Sequence, residues 1–360
     1  MLYVSSYKNN IIKVKDVLDL ETESITEEEC MKYIKAGLEI QGVQLNGDNL
    51  KINSIEADIA RHKLLNDGWK IGVYTGGDIW VERIYQTQSS NVIELQGVPE
   101  GLTDKELVIP DYIVKIGASC LFNRSFDNVR LSKNLVAIGA TAFTNTHGLR
   151  RAVLPECFRW AGNGAFSRCY DLQYVEFPEY VYSLNRDMFD GCSLLRNVVL
   201  PKELEVNALE IDFFKDCRTL KHVNLGETNI IELCESCFQG CKNLESIDLS
   251  KIKRLGDYCF MGCLNLREVT IPRIETIPEA CFAKTGLEHI TISEGVRTIS
   301  DRCFLNTDIK TIEIPESVEY IGRQAFGDCT LLEKVVLKND RTDIEYNAFH
   351  GCSDFEIIKG

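Results

Sequence analysis

This sequence of 360 residues lacks long apolar runs, and it contains only eight prolines. Its longest apolar stretches, such as Val198-Val199-Leu200, are far shorter than the roughly 18 residues that a membrane span needs, so we predict no membrane span. The first residues also lack the cationic and apolar segments and the small-residue cleavage site of a secretory signal. We therefore expect a cytoplasmic protein, with a secreted or cell-surface location as the alternative if a leader was removed.

Motifs that carry catalysis are missing as well. The sequence has no G-x-x-x-x-G-K-[ST] phosphate loop, no H-E-x-x-H, no G-x-S-x-G and no EF-hand loop. Its five histidines are scattered and adjoin no recurrent carboxylate or nucleophile. The one metal-like cluster, Cys234, Cys237 and Cys241, offers three ligands where a structural zinc takes four. We therefore predict no enzyme, no cofactor and no metal.

What the sequence does contain is a repeat of 22 to 25 residues. Its clearest copy spans Glu313 to Leu337, around the anchor Phe326 with Ile321 before it and Leu332 after it. The eleven anchors that follow one another are Leu121, Phe143, Phe166, Phe189, Phe214, Phe238, Phe260, Phe282, Phe304, Phe326 and Phe349. Self-similarity at this period predicts a solenoid, in which each unit buries its apolar face against its neighbours.

The repeat resembles the BspA-type (bacterial surface antigen-like) leucine-rich repeat, I-G-x-x-A-F-x-x-C-x-x-L-x-x-V-x-L-P. The motif is clear at Ile138-Gly139 with Ala142-Phe143 and at Ile321-Gly322 with Ala325-Phe326. This resemblance implies a right-handed leucine-rich-repeat solenoid, with a parallel β-sheet on one face and short helical or irregular segments on the other. It also implies binding of macromolecules rather than catalysis. Pro278 is one of the residues that depart from the usual Gly four positions before the anchor.

The chain before the repeat reads as a separate unit. We predict a small α+β N-terminal domain over residues 1–100 that caps the solenoid, followed by about eleven repeats over residues 101–360. Within the first unit, alternation over Ile11 to Lys15 predicts a strand. Helices are predicted over Glu27 to Ala36 and Ile55 to Asn66. A hairpin is predicted between Ile71–Tyr74 and Ile79–Tyr85.

Fifteen cysteines are present, but their positions favour free thiols over a disulfide framework. Most sit either three residues after an anchor or directly before one, where other repeats carry Ala. Alternation with Ala indicates a small buried position, and a free Cys packs as a small hydrophobe. The odd count and the large chain favour a reducing compartment.

Candidate binding residues lie where packing does not fix the side chain. We expect the solvent side of the repeated strand to form a mixed, polar binding face, and an aromatic cluster in repeats three and four to flank it, since exposed aromatics are common in binding hot spots. From these two groups the predicted binding residues are Trp160, Tyr174, Tyr180, Tyr182, His222, Asn224, Asp248, Glu268 and His289.

The formal net charge of −14 limits the classes of partner that the protein is expected to bind. Repulsion from phosphates argues against direct binding of nucleic acid, and no aromatic ladder interleaved with Lys and Arg is present. We therefore predict a non-catalytic protein–protein interaction protein whose partner is a protein, favoured to be basic. The alternatives are a secreted or cell-surface adhesin of BspA-like type and an acidic inhibitor or decoy of a nucleic-acid-binding protein.

Overall fold

The computed structural model describes residues 3–8, 11–15, 21–26, 70–73, 93–98, 106–111 and 113–360. Near the N-terminus, β1 (Tyr3–Lys8), β2 (Ile11–Lys15) and β3 (Glu21–Thr26) form an antiparallel meander. The strand predicted over Ile11 to Lys15 is therefore confirmed. The helices predicted over 27–36 and 55–66 lie outside the described residues, as does the second strand of the predicted hairpin.

The strand predicted from Ile71 is present as β4 (Lys70–Val73), and its described partner is β5 (Ile93–Gly97). These two strands pair antiparallel, and β5 then pairs parallel with the next strand of the solenoid, β7 (Ile113–Ile116). Leu95 on β5 is fully buried. The strands β4 and β5 are thus hydrogen-bonded directly to the solenoid sheet.

Most coils of the solenoid carry two short strands, each of which pairs parallel with the corresponding strand of at least one adjacent coil. The strand that follows the preceding anchor belongs to the first sheet: β6 (Glu106–Val108), β8 (Asn128–Arg130), β10 (Arg151–Val153), β12 (Tyr174–Glu176), β15 (Asn197–Val199), β18 (His222–Val223), β21 (Glu268–Ile271), β23 (His289–Ile292), β25 (Thr311–Ile314), β27 (Lys334–Leu337) and β29 (Glu356–Lys359).

A second, narrower sheet runs beside the first, and the sequence reading did not anticipate it. Besides β5 and β7 it contains β9 (Ala137–Ile138), β11 (Trp160–Ala161), β14 (Ser183–Leu184), β17 (Ala208–Leu209), β19 (Glu232–Leu233), β20 (Arg254–Leu255), β22 (Thr276–Ile277), β24 (Thr298–Ile299), β26 (Tyr320–Ile321) and β28 (Asp343–Ile344). At one corner, β13 (Tyr180–Val181) pairs with β16 (Glu203–Leu204). The rest of each coil is irregular, with a 3-10 turn at Leu225–Glu227.

The anchors form the ladder that the repeat predicts. We number the coils one to eleven by their anchors, from Leu121 to Phe349. Neighbouring phenylalanine rings are stacked with centroids 5.2 to 5.7 Å apart, from Phe143 to Phe349. Each anchor N–H from Phe143 to Phe326 also donates to a carbonyl of the next coil, as Phe260 does to Cys281 at 2.8 Å. We call this third set of inter-coil bonds the anchor row.

The same stacking explains why cysteine recurs three residues after an anchor. The fourteen cysteines among the described residues are free. The thiol three residues after an anchor donates to the carbonyl of the preceding anchor, as Cys217 does to Phe189 at 3.2 Å and Cys192 does to Phe166 at 3.0 Å. At the same position Thr146 donates its hydroxyl to Leu121 at 2.7 Å. This position therefore selects a small side chain that can donate a hydrogen bond to a buried carbonyl.

Candidate functional site

The outward row consists of the solvent-side residues of the first sheet. Strand register aligns Arg151, Tyr174, Asn197 and His222 from four successive coils. Of these, Tyr174 is half-buried and the others are exposed. Along each strand, outward and inward residues alternate. The inward residues, such as Val175 between Tyr174 and Glu176, point into the core and are buried. The result is a continuous solvated strip across coils three to six.

Tyr174 is held in place by charged neighbours on this strip. Its hydroxyl donates to Glu176 Oε2 at 2.7 Å, and the guanidinium of Arg151 lies 4.1 Å from its ring centroid. Donation to the Glu176 carboxylate raises the pKa of the Tyr174 phenol. Arg151 also pairs with Glu176 at 3.8 Å. This arrangement fixes an aromatic face and two charges on one patch of the sheet.

The other predicted aromatics lie near the second sheet, where the sequence placed them on segments after the strands. Trp160 lies in β11 opposite Ser183 of β14, and Tyr180 lies in β13 opposite Glu203. Trp160 and Tyr182 are half-buried, whereas Tyr180 is 37% exposed. Burial is the main cause of the raised pKa of the Tyr180 phenol. The aromatic cluster is therefore less exposed than the sequence predicts.

Asn224 is already engaged within the protein. Its side-chain Oδ1 accepts from the Leu200 N–H at 2.8 Å, and its Nδ2 donates to the Leu200 carbonyl at 3.2 Å. One side-chain amide thus joins coils five and six where the strand ladder ends. His222, by contrast, is exposed, with Nε2 3.5 Å from Glu245 Oε2.

Three of the predicted residues, Asp248, Glu268 and His289, line one groove of about 1310 Å³. We call it the coil-seven groove, and it begins on the outward row and turns the corner towards the second sheet. Its floor is residues 246–253, and its walls come from coil six and from coils eight and nine. Trp160, Tyr174, Tyr180, Tyr182, His222 and Asn224 do not line it.

Corner length explains where the groove lies. The corner is the segment that connects the first-sheet side of a coil to its second-sheet strand. In coil seven, six positions separate Leu249 from Leu255, and in coil eight, six positions separate Ile271 from Ile277. The corresponding separation is seven positions in coil nine and eight in coil six, where the 3-10 turn Leu225–Glu227 adds to the wall. Short corners between longer ones leave a depression.

The groove carries charge of both signs. The Ser250 backbone N–H donates to Asp248 Oδ1 at 2.9 Å, which lowers the pKa of the Asp248 carboxyl. Lys251 Nζ donates to the Thr228 carbonyl at 2.9 Å. Lys253 and Arg273 are exposed at the corner end. The sequence reading did not select these cations, although the shortened corners were a signal for them.

Metal-binding chemistry would need several ligand side chains close together among the described residues. None of these residues forms a cluster of three or more His, Cys, Asp or Glu side chains suited to a metal ion. Cys237 and Cys241 are fully buried, and burial raises the pKa of both thiols, so they serve the coil packing. In the same part of the chain no helix is long and apolar enough to cross a membrane.

Comparison with known proteins gives a family match. A family model described as the BspA type leucine rich repeat region matches in six copies, over residues 102–221, 195–310 and 253–359. A search of curated proteins found no significant match.

Solved structures of bacterial leucine-rich repeat proteins match this chain, and one from Bacteroides ovatus is similar in fold. It is 22% identical, with 74% of this chain and 89% of that chain covered and a TM-score of 0.50. The T. pallidum leucine-rich repeat protein is 25% identical, with 55% and 87% covered and a TM-score of 0.45. The pneumococcal vaccine antigen PcpA is 15% identical, with 76% and 85% covered and a TM-score of 0.43.

Proposed function

Because this chain belongs to the BspA-type leucine-rich repeat family, we propose that it is a non-catalytic protein that binds another protein through its outward row. The observation that carries this proposal is the alignment of Arg151, Tyr174, Asn197 and His222 in one register on a solvated sheet. Such a strip presents a fixed spacing of charged, aromatic and amide groups over four coils. A partner protein is the ligand that matches a surface of this length.

The nature of the partner follows from charge. The net charge of −14 favours a basic protein, because long-range attraction speeds and strengthens the encounter. Affinity capture from the native cell, followed by a salt gradient, tests this. We expect a partner of high isoelectric point that salt releases, since screening weakens exposed charge pairs. Capture of a nucleic-acid-binding protein would favour the decoy role, and capture of only acidic partners would contradict the charge argument.

We place the protein in a reducing compartment. Support comes from the fourteen described free cysteines, most of which are buried and hydrogen-bonded within the ladder. Oxidising compartments generally favour disulfides in cysteine-rich chains. Cell fractionation with detection of the native protein is the test. Recovery in the cytoplasmic fraction supports the proposal, whereas recovery at the cell surface or in the medium supports the adhesin alternative.

A further inference from the structure

Among the described strands, the first sheet lacks pairing between β8 and β10, at coil seven, and between β23 and β25. Coil seven differs from the other two places because the second sheet is unpaired there too, between β20 and β22. Residues 246–249 follow the repeat in sequence, yet among the described residues they form no strand ladder with β18 or β21. The segment remains near coil six, because the Glu245 N–H donates to the Lys221 carbonyl at 3.2 Å and Ser246 Oγ lies 3.5 Å from His222 Nδ1. The opening therefore lies between coils seven and eight.

The backbone groups that face this opening can be identified by alternation. The carbonyls of Arg267 and Ile271 accept from coil nine, from the N–H groups of Glu288 at 2.9 Å and Ser293 at 3.3 Å. In a parallel strand the residues between them direct their N–H and C=O groups to the other side. Glu268 and Thr270 therefore present four backbone groups to the opening, and none of these is paired within the described chain.

Intact interfaces show what is missing. The Leu154 N–H donates to the Glu176 carbonyl of the next coil at 2.9 Å, and the Phe177 N–H donates to Val199 at 3.0 Å. The equivalent bond from the Leu249 N–H to the Thr270 carbonyl is absent from the described hydrogen bonds. Thus β21 presents an unpaired strand edge to residues 246–249 of coil seven, which form no strand.

The second sheet is open at the same interface. Its strand β20 does not pair with β22, and a smaller cavity of about 510 Å³ lies there. At most other coils the backbone N–H of the residue four before the anchor donates to the preceding coil, as Gly256 does to Leu233 at 2.8 Å and Ser300 does to Ile277 at 3.0 Å. In coil eight that residue is Pro278, which has no N–H to donate.

The anchor side remains closed across this interface. The anchor row continues through Phe260 to Cys281 at 2.8 Å, and the rings of Phe260 and Phe282 stack at 5.2 Å. Coils seven and eight are therefore joined along one edge and parted along the two sheets. An opening of this kind is a wedge with the unpaired edge of β21 on one side of its mouth.

The chemistry of the wedge favours one kind of occupant. The volume of about 1310 Å³ exceeds the roughly 300–1,000 Å³ of typical small-molecule sites. Unpaired strand edges are matched by the backbone of another extended chain. Asp248 and Glu268 at the sheet end complement a basic side chain, and Lys253 and Arg273 at the corner end complement an acidic one.

We propose that the coil-seven groove holds an extended segment of the partner protein, which adds backbone hydrogen bonds to the open edge of β21. The segment carries a basic residue over Asp248 and Glu268 and an acidic residue over Lys253 and Arg273. This inference rests on the proposed function, because it assigns how one part of the binding face would grip a protein.

Native-state hydrogen exchange of the full chain tests the open edge first. The Thr270 amide, which faces the opening, should exchange at least about tenfold faster than the Thr291 amide, which lies within the β21–β23 pair. Equal protection of the two amides would mean that the edge is closed and would overturn the proposal.

A peptide probe tests occupancy. The probe is a short blocked peptide of alternating threonine and valine, with lysine at one end and glutamate at the other, used at millimolar concentration in both sequence directions. We expect one direction to raise protection of the Thr270 amide by about tenfold. An N-methylated copy keeps the side chains but loses alternate N–H donors, and it should not protect. No protection by either direction, or equal protection by the methylated copy, would overturn strand addition.

Two variants at one position provide a matched control. Thr270→Pro removes the N–H that faces the opening, whereas Thr270→Val changes the side chain and keeps the N–H. A proline is tolerated where no ladder bond is lost. Thr270→Pro should weaken peptide binding about fivefold to tenfold, the effect of one lost backbone hydrogen bond, and Thr270→Val should leave binding unchanged. Equal binding by both variants would overturn the proposal.

The same variants separate this inference from the proposed function. If the partner captured from the cell binds Thr270→Pro as tightly as the unmodified protein, then strand addition in the coil-seven groove is wrong. The proposed function of protein binding still stands in that case. If no protein partner binds at all, the proposed function fails whatever the peptide does.

Discussion

Replacement of Phe260 by Ala tests how the coils are held together. The Phe260 ring is fully buried, and it stacks on Phe238 at 5.4 Å and on Phe282 at 5.2 Å. Removing a buried phenylalanine costs about 3–5 kcal/mol through lost burial and the cavity left behind. Each aromatic stack contributes about 0.5–1.5 kcal/mol beyond its buried area. We therefore expect Phe260→Ala to lower the free energy of unfolding by about 4 kcal/mol.

The position of Phe260 predicts a second effect. Between coils seven and eight both sheets are open, so the anchor ladder and the anchor row carry the contact. Phe260→Ala should therefore let coils eight to eleven exchange amide hydrogens independently of coils one to six. Phe166→Ala is the matched comparison, because Phe166 stacks at 5.3 and 5.7 Å in a coil whose second-sheet strand pairs with both neighbouring coils. It should destabilise without separating the two halves.

Urea unfolding followed by circular dichroism measures the first effect, and hydrogen exchange with mass spectrometry measures the second. Tyr346→Ala is the control, because Tyr346 is 93% exposed and its loss should change stability by about 0.5 kcal/mol or less. A loss below about 1 kcal/mol for Phe260→Ala would refute the ladder as the main support of this interface.

Other expected outcomes concern the thiols and the binding face. Cys217→Ala should cost about 0.5–1.5 kcal/mol in a thermal unfolding assay, because the Phe189 carbonyl keeps its bond from the Cys192 N–H but loses the one from the thiol, while Cys217→Thr should cost less. Thiol titration of the native protein should modify only a few cysteines rapidly, and modification of most of them would contradict burial. Burial raises the pKa of Cys169 to about 12, so stability should fall as the pH rises above about 8.5, where the unfolded thiols ionise first. Trp160→Ala and Tyr182→Ala should each weaken partner binding by about 1 kcal/mol or more, while Lys284→Ala at an exposed position on the anchor side should not, as measured by calorimetry.

The repeat predicted most of the fold, because each anchor occupies the same environment in every coil. The stack from Phe143 to Phe349 follows from the period alone. The second sheet could not be read from the sequence, since its strands are only two residues long in most coils and carry no alternation. The hydrogen-bonding role of the ladder cysteines was likewise hidden, because a buried Cys and a buried Ala look alike in a pattern.

The candidate site was predicted less completely. Alternation along the strands placed Asp248, Glu268 and His289 on the solvent side, and the groove brings these three together. The wedge itself exists because backbone hydrogen bonds between the sheets of coils seven and eight do not form. In the sequence, only Pro278 and the short corners of these two coils indicated it. Asn224 was chosen as outward and polar, yet its amide is used between coils. Such side-chain bridges depend on the distance between two coils, which a single repeat does not specify.

Site-specific photo-crosslinking in the native cell tests the central claim, that the outward row binds a protein partner. The crosslinking residue would replace Asn197 or Glu268 on the outward row, and Lys284 on the anchor side as the control, since all three are exposed. We predict that one protein partner is captured from at least one outward position and that none is captured from Lys284. Capture from Lys284 alone, or from none of the three, would contradict the claim.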